Sequence, residues 1–219
     1  MGKTLINAGH WDDPATPWRD DPGAVFGNLT DGGLAIQVRA EIKRLHPEWM
    51  YVPDNLNLRQ SIDWVNFWSL PEDMAIDIHM NFNKNSVIRG TEAYYANSPA
   101  LAIVFSQKVA EAINVPCRGA RHDSESSAGS LGWLRQTKCR SVIVECAYLS
   151  NEEDRKILSH SQFPQWAAKW VINAVTYLNS AITPPRPALD IIAEKIAILA
   201  KLIAELVRGR KLGAVNEFE

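Results

Sequence analysis

Two scarcities narrow this sequence before any motif is read. Cysteine occurs three times in 219 residues, at Cys117, Cys139 and Cys146. The number is odd and no Cys-x-x-Cys spacing occurs, which argues against a disulfide framework and against a cysteine-built zinc knuckle. Cys139 and Cys146 fall in an apolar stretch and read as buried free thiols. A surplus of one charge sign is missing too. Charged residues make up 22% of the chain and sum to about −2, so no basic field invites nucleic acid or an anionic membrane surface. No apolar run is long enough to span a bilayer, and stable membrane insertion is not expected. The opening Met1-Gly2-Lys3-Thr4-Leu5-Ile6 lacks the features of a signal peptide, so the expected site of synthesis is the cytoplasm, without export by the general secretory route.

What is present is ample apolar material, 46% of residues, enough for one packed domain and an appendage. Three runs, Thr4–Ala8, Met74–Met80 and Arg140–Ala147, are nearly all apolar without clean alternation, the pattern of strands buried on both faces. Helical spacing separates them. Leu34, Val38, Ile42 and Leu45 recur after Thr30-Asp31-Gly32-Gly33. Leu101, Val104, Phe105, Val109 and Ile113 recur after Ser98-Pro99, where a capping residue precedes a first-turn proline. A third helix is expected over Phe163–Leu178 with Trp166, Trp170, Val171 and Val175 inward, and Thr91–Ala96 adds a further strand. Strands alternating with helices predict an α/β domain with a mostly parallel sheet flanked by helices.

Three prolines within residues 181–187 mark a stiff linker. The domains read as 1–180, the linker 181–187, and a C-terminal segment 188–219. Within the last, Leu189, Ile192, Ile196, Leu199, Ile203 and Leu206 step by three and four, a heptad seam over 188–208. Such a face either packs back on its own domain or joins copies of the chain, and a homo-oligomer through 188–208 is the expectation carried forward.

The side chains able to do chemistry sit at strand ends. His10 follows the first strand, His79 lies near the end of the second, and Glu145 lies late in the third. In open α/β sheets the functional crevice forms beyond the carboxyl ends of the strands, so these three converge. A carboxylate inside Val142-Ile143-Val144-Glu145-Cys146-Ala147 is costly to bury unless paired, metal-bound or used. Asp77 raises the same question and is placed on the side opposite His79. Two histidines and a carboxylate make a catalytic zinc site with an open position for water. Asp31, at the start of the helix after the first loop, is the chosen carboxylate ligand, against the plainer role of a helix cap. Glu41 is its rival, more than two turns further along the helix. Glu145 is then the general base. His122 is a candidate oxyanion donor, although an ordinary loop histidine is the simpler reading.

Five segments in order carry a resemblance. They are Ile6-Asn7-Ala8-Gly9-His10, Asp21-Pro22-Gly23-Ala24, Asp77-Ile78-His79-Met80-Asn81, Gly90-Thr91-Glu92-Ala93-Tyr94-Tyr95, and Val144-Glu145-Cys146-Ala147-Tyr148-Leu149-Ser150-Asn151. Together they resemble the zinc-dependent N-acetylmuramoyl-L-alanine amidases of bacterial wall remodelling and phage endolysins, from near the start to about residue 180. The resemblance implies Zn2+ on His10 and His79, Glu145 as the catalytic carboxylate, and a carboxylate ligand, glutamate in the family, for which Asp31 is a shorter substitute. It implies peptidoglycan as substrate, cut at the amide between N-acetylmuramic acid and L-alanine; the expected lack of a signal peptide favours a phage or prophage endolysin that meets the wall after release over an exported housekeeping enzyme. Trp11 stands where the family often has glycine, and Asp12–Asp20 read as a loop on the cleft rim. Trp11, Trp18, Tyr94, Tyr95 and Trp133 are compatible with a sugar-peptide polymer. The alternatives are a zinc peptidase acting on stem peptides and a degenerate, multivalent wall-binding module.

Overall fold

The apolar runs of the sequence become the inner strands of a six-stranded sheet. In the computed structural model, which describes residues 2–10 and 21–182, the sheet order is β4-β1-β5-β8-β6-β7. The strands β1 (Thr4–Ala8), β4 (Met50–Tyr51), β5 (Met74–Asn81) and β8 (Arg140–Tyr148) run parallel. At the other edge β6 (Thr91–Tyr95) pairs antiparallel with β8, and β7 (Cys117–His122) runs parallel to β6. The sheet is therefore mostly parallel, as expected, with its last two strands reversed.

One face is covered by α1 (Asp31–Leu45), α3 (Pro99–Ile113) and α6 (Phe163–Ile182). Ile6, Ile76, Ile78, Val142 and Val144 meet Val38, Ile42, Phe105, Val109, Trp170 and Val171 there, all fully or almost fully buried. Truncating Phe105 in so closed a layer costs about 3–5 kcal/mol. The opposite face is apolar only in part. Leu5, Ala75 and Ile143 pack with Ile62 and Val65 of α2 (Leu58–Trp68) and Trp133 and Leu134 of α4 (Gly132–Gln136). Residues two apart on a strand share a face. Two positions further along, that same face therefore carries Asn7, Asp77 and Glu145, and then His79. The second core stops where the polar cluster begins.

Local signals account for most helix starts. Thr30 caps α1, its hydroxyl accepting from the Gly33 amide, and Asn151 caps α5 (Glu152–Leu158) by accepting from two amides. Ser98 precedes α3 as the sequence suggests, yet its side chain makes no cap bond, and proline alone opens that helix. Trp166 departs from its expected inward place: it is 37% exposed and stacks on His160. A two-stranded hairpin, β2 (Val25–Phe26) and β3 (Leu29–Thr30), leads into α1. No helix among the described residues is long and apolar enough to cross a membrane.

The chain divides into a compact unit, Met1–Leu178, and a second, Asn179–Glu219. Trp11, Trp18, the loop Asp12–Asp20, most of the linker 181–187 and the heptad segment 188–208 lie outside the described residues.

Candidate functional site

Three different devices bring His10, Asp31 and His79 together. The backbone of β1 stays tied to β5 one residue beyond its end, with the Gly9 amide donating to the Ile78 carbonyl at 2.8 Å. His10 then turns with φ of +71°, a left-handed conformation uncommon outside glycine. Such outliers persist where the surroundings over-determine them, often at functional sites. Gly9 lies flush against the His79 ring, and a Cβ there would fall 2.2 Å from its Cε1. His79 itself is held by strand register, directly beside Glu145.

Asp31 is the first residue of α1, and the cap is Thr30. That division of labour releases the Asp31 carboxylate from capping its own helix. Oδ2 faces His10 Nε2 at 2.7 Å and His79 Nδ1 at 3.3 Å, and Oδ1 accepts from the Met80 amide at 2.7 Å. Glu41 takes no part, being paired with Arg44 of its own helix.

The donor atoms of His10, Asp31 and His79 all lie within 4.8 Å of one another. Two imidazoles and one carboxylate are a donor set suited to zinc with a position left open. The outer contacts fit as well. His10 Nδ1 meets Asp21 Oδ2 at 3.1 Å, and His79 Nε2 meets Asp77 Oδ2 at 3.1 Å. Each ring nitrogen facing away from the cluster thus has a carboxylate to fix its tautomer, as metal-ligating histidines do. Asp77 lies on the same side as His79, against the sequence-based placement. They are two positions apart, and strand alternation returns every second residue to one face. Asn7 donates to Asp77 Oδ1 at 2.7 Å and holds it in place.

Charges follow this layout. Burial alone would lower the His79 pKa, but Asp77 and Asp31 outweigh it and raise it well above 6.5. His10 moves upward for the same kind of reason, Asp31 opposing its burial. Burial would raise Asp31, yet the two histidines beside it bring it below the ordinary carboxylate value.

Glu145 lies in the same row of the sheet, between His79 of β5 and Glu92 of β6. Its Oε2 is buried without a hydrogen-bond partner among the described residues. Burial pushes its pKa up to about 8; His79 opposes this, and Asp31 and Glu92 reinforce it. Glu92 is the contrasting case. Its Oε1 accepts from Asn81, Tyr94 and Tyr148, while Arg118 and Arg121 approach Oε2. Burial would raise its pKa, but the arginines and tyrosines lower it. Glu92, like Glu145, is a carboxylate inside a strand and carries the same sequence signal of a buried charge that needs a partner.

His122 stands elsewhere. β7 runs opposite to β8, so its last residue is carried toward the other end of the sheet, roughly 10 Å along the strands from the Glu92–Glu145 level. Its ring packs edge-on to Tyr95, and Nδ1 lies 2.8 Å from Ser124 Oγ, making it a cap for the following turn. Trp133 is buried in the second core and Tyr94 is bonded to Glu92, so neither is a free stacking surface.

The family model described as N-acetylmuramoyl-L-alanine amidase matches residues 6–177. The chain is 26% identical over 186 residues to N-acetylmuramoyl-L-alanine amidase LytC of Bacillus subtilis (strain 168), a match covering 77% of this chain and 34% of that protein. The chain thus spans about a third of that relative's length. Among solved structures it is similar to the catalytic domain of CwlV, an N-acetylmuramoyl-L-alanine amidase from Bacillus (Paenibacillus) polymyxa var. colistinus. The TM-score is 0.69 at 23% identity, over 82% of this chain and 99% of that one. An N-acetylmuramoyl-L-alanine amidase from Clostridium difficile 630 is similar with a TM-score of 0.68 at 18% identity, over 82% and 98%. At these identities the structural likeness speaks to fold.

Proposed function

The chain belongs to the N-acetylmuramoyl-L-alanine amidase family, and on that premise we propose that it is a zinc-dependent peptidoglycan hydrolase cutting between N-acetylmuramic acid and L-alanine. His10, Asp31 and His79 hold the zinc and Glu145 is the general base. The observation carrying this reading is the pairing of a buried, partnerless Glu145 Oε2 with the His-Asp-His cluster one strand away.

Zinc in such a site lowers the pKa of a water and polarises a carbonyl oxygen. The residues do the rest. Asp77 and Asp21 orient the two imidazoles, and the Met80 amide holds the Asp31 carboxylate. Glu145 Oε2 takes the proton of the attacking water and returns it to the departing L-alanine nitrogen.

The test is a digest of purified wall analysed for new amino termini and new reducing ends. The proposal expects free L-alanine amino groups on peptides released from intact glycan. New termini within the stem peptide instead would make the chain a peptidase, and glycan reducing ends would make it a glycosidase. A role as a phage or prophage lysin belongs to the same proposal: expression inside an intact host should leave turbidity unchanged until the membrane is permeabilised, and earlier lysis refutes it. Homo-oligomerisation through 188–208 is proposed from the heptad seam. Removing residues 188–219 should then lower the light-scattering mass to that of a monomer, and an unchanged mass rules it out.

A further inference from the structure

We propose that Arg118 and Arg121 form a carboxylate-binding subsite at the edge of the cleft, receiving an acidic group on the peptide side of the amide that is cut. The proposal rests on the amidase reading and adds a specificity determinant to it.

The pairing of β7 with β6 is uneven. Thr91 pairs with Cys117, but Glu92 pairs with Gly119, so β7 carries one extra residue at this point. Gly119 takes φ of +85°, a conformation open to glycine, and nothing among the described residues lies within 4 Å of where its Cβ would be. Conformation and not space therefore requires glycine here. Bulges of this kind re-aim side chains and recur beside active sites. This one brings Arg118 to the same carboxylate as Arg121, the Nε of each lying 2.9 Å from Glu92 Oε2.

One buried carboxylate needs one cation. Glu92 has two, and its other oxygen is already filled by Asn81, Tyr94 and Tyr148. The surplus positive charge is accessible, since the arginine side chains are 28% and 31% exposed. Each presents Nε inward, and a guanidinium has further donors on its outer edge suited to a second carboxylate. Glu125 lies 3.5 Å from Arg121 Nη1, but it is itself half exposed, and attraction there is weakened by solvent. Arg118 is further held over the Tyr148 ring.

Position agrees with charge. Glu92 is paired directly with Glu145, and β7 lies one strand beyond, about 10 Å from β8 at two strand spacings. Successive residues of a bound peptide advance about 3.8 Å between Cα atoms. An acidic residue directly after the L-alanine whose nitrogen is released falls within reach of the two guanidiniums.

The probes are N-acetylmuramoyl-L-alanyl-D-glutamate and the same molecule with both glutamyl carboxyl groups amidated. Calorimetric binding to the zinc-loaded Glu145→Ala chain is the deciding readout, with hydrolysis by the unaltered chain beside it. Amidation should weaken binding about 10- to 30-fold and raise KM comparably with little change in kcat, the scale of one charge-assisted pair. Arg118→Gln with Arg121→Gln in the same Glu145→Ala chain should bind the two probes alike. Should that variant melt early because Glu92 loses its cations, the comparison of probes on the unaltered arginines still decides. Equal affinity for both probes, binding of neither, or a preference that survives in the arginine variant overturns the subsite. If the subsite fails while digested wall still yields L-alanine amino termini, the amidase reading stands; if no such termini appear, that reading falls as well.

Discussion

The two halves of the sheet present their functional side chains by opposite rules. In the parallel half, β1, β5 and β8 deliver residues from their carboxyl ends, so His10, His79 and Glu145 arrive at one edge. In the reversed half, the same edge is reached by strand beginnings: Glu92 is the second residue of β6, and Arg118 the second of β7. His122, a strand-end residue of the reversed half, is carried away from the site by the very position that brought the others in. Direction of a strand, and not the chemistry of the residue ending it, decides who meets whom. The halves differ in saturation too. Every oxygen of Glu92 is engaged, while Glu145 keeps one buried oxygen without a partner among the described residues. A saturated carboxylate organises its neighbours; on the proposed mechanism, the unsaturated one takes the proton.

The sharpest way to break this comparison is Glu145→Ala. Lysis of wall suspensions should fall by at least about 10²- to 10⁴-fold, the range for removing a general base, while zinc measured by elemental analysis stays near one per chain. A variant that still clears the suspension would falsify the mechanism. Next in size is Asp77→Asn. Zinc affinity should drop about 10- to 100-fold, because the His79 tautomer loses its anchor; competition with a chromogenic chelator measures it, and an unchanged affinity would show that Asp77 serves only the fold.

Acidification should act on the same cluster. Zinc held by His10 and His79 as proposed would require both histidines neutral, and neighbouring carboxylates raise their pKa values above 6.5 in the metal-free protein. Zinc affinity should therefore begin to fall above pH 6.5 on acidification, by about tenfold per pH unit for each proton displaced. The sign reverses for the metal-free fold. Groups whose folded pKa is raised contribute stability fully below pH 6.5, and that contribution is lost as pH rises through the raised values. The gain in Tm on adding zinc should hence be larger at pH 8 than at pH 6, and a gain independent of pH would count against the histidine pair as ligands. The smallest effect is expected from His122→Ala. Placed in the reversed half and away from Glu145, it should change wall hydrolysis less than about twofold, whereas an oxyanion donor would cost about 10²-fold or more.

Much of this was readable in the chain. The runs Thr4–Ala8, Met74–Met80 and Arg140–Ala147 fall within one or two residues of β1, β5 and β8. Glu145 stood out because a carboxylate among Val142, Val144 and Ala147 is costly to bury unless paired, metal-bound or used. The two-residue strands β2, β3 and β4 and the brief helices α4 and α5 were not, since so few residues leave little periodicity to detect; six-residue β7 is mostly polar and carries no apolar run, and the eleven-residue α2 was passed over although its length allowed it to be found. Asp77 was visible but assigned to the wrong side, and Glu92, Arg118 and Arg121 were passed over because their partners come from other strands.

By itself the sequence determined the local choices. It set which runs form buried strands, that a helix opens after Thr30-Asp31-Gly32-Gly33, and which titratable groups end the long strands. These follow from burial, propensity and spacing, which act over a few residues. Only the tertiary structure decided that β6 and β7 run backwards, that Glu92 meets Glu145 and His122 does not, and that an inserted residue at Gly119 turns two arginines toward one carboxylate. Strand direction and register are settled by pairing across long stretches of chain, where no local pattern carries the information.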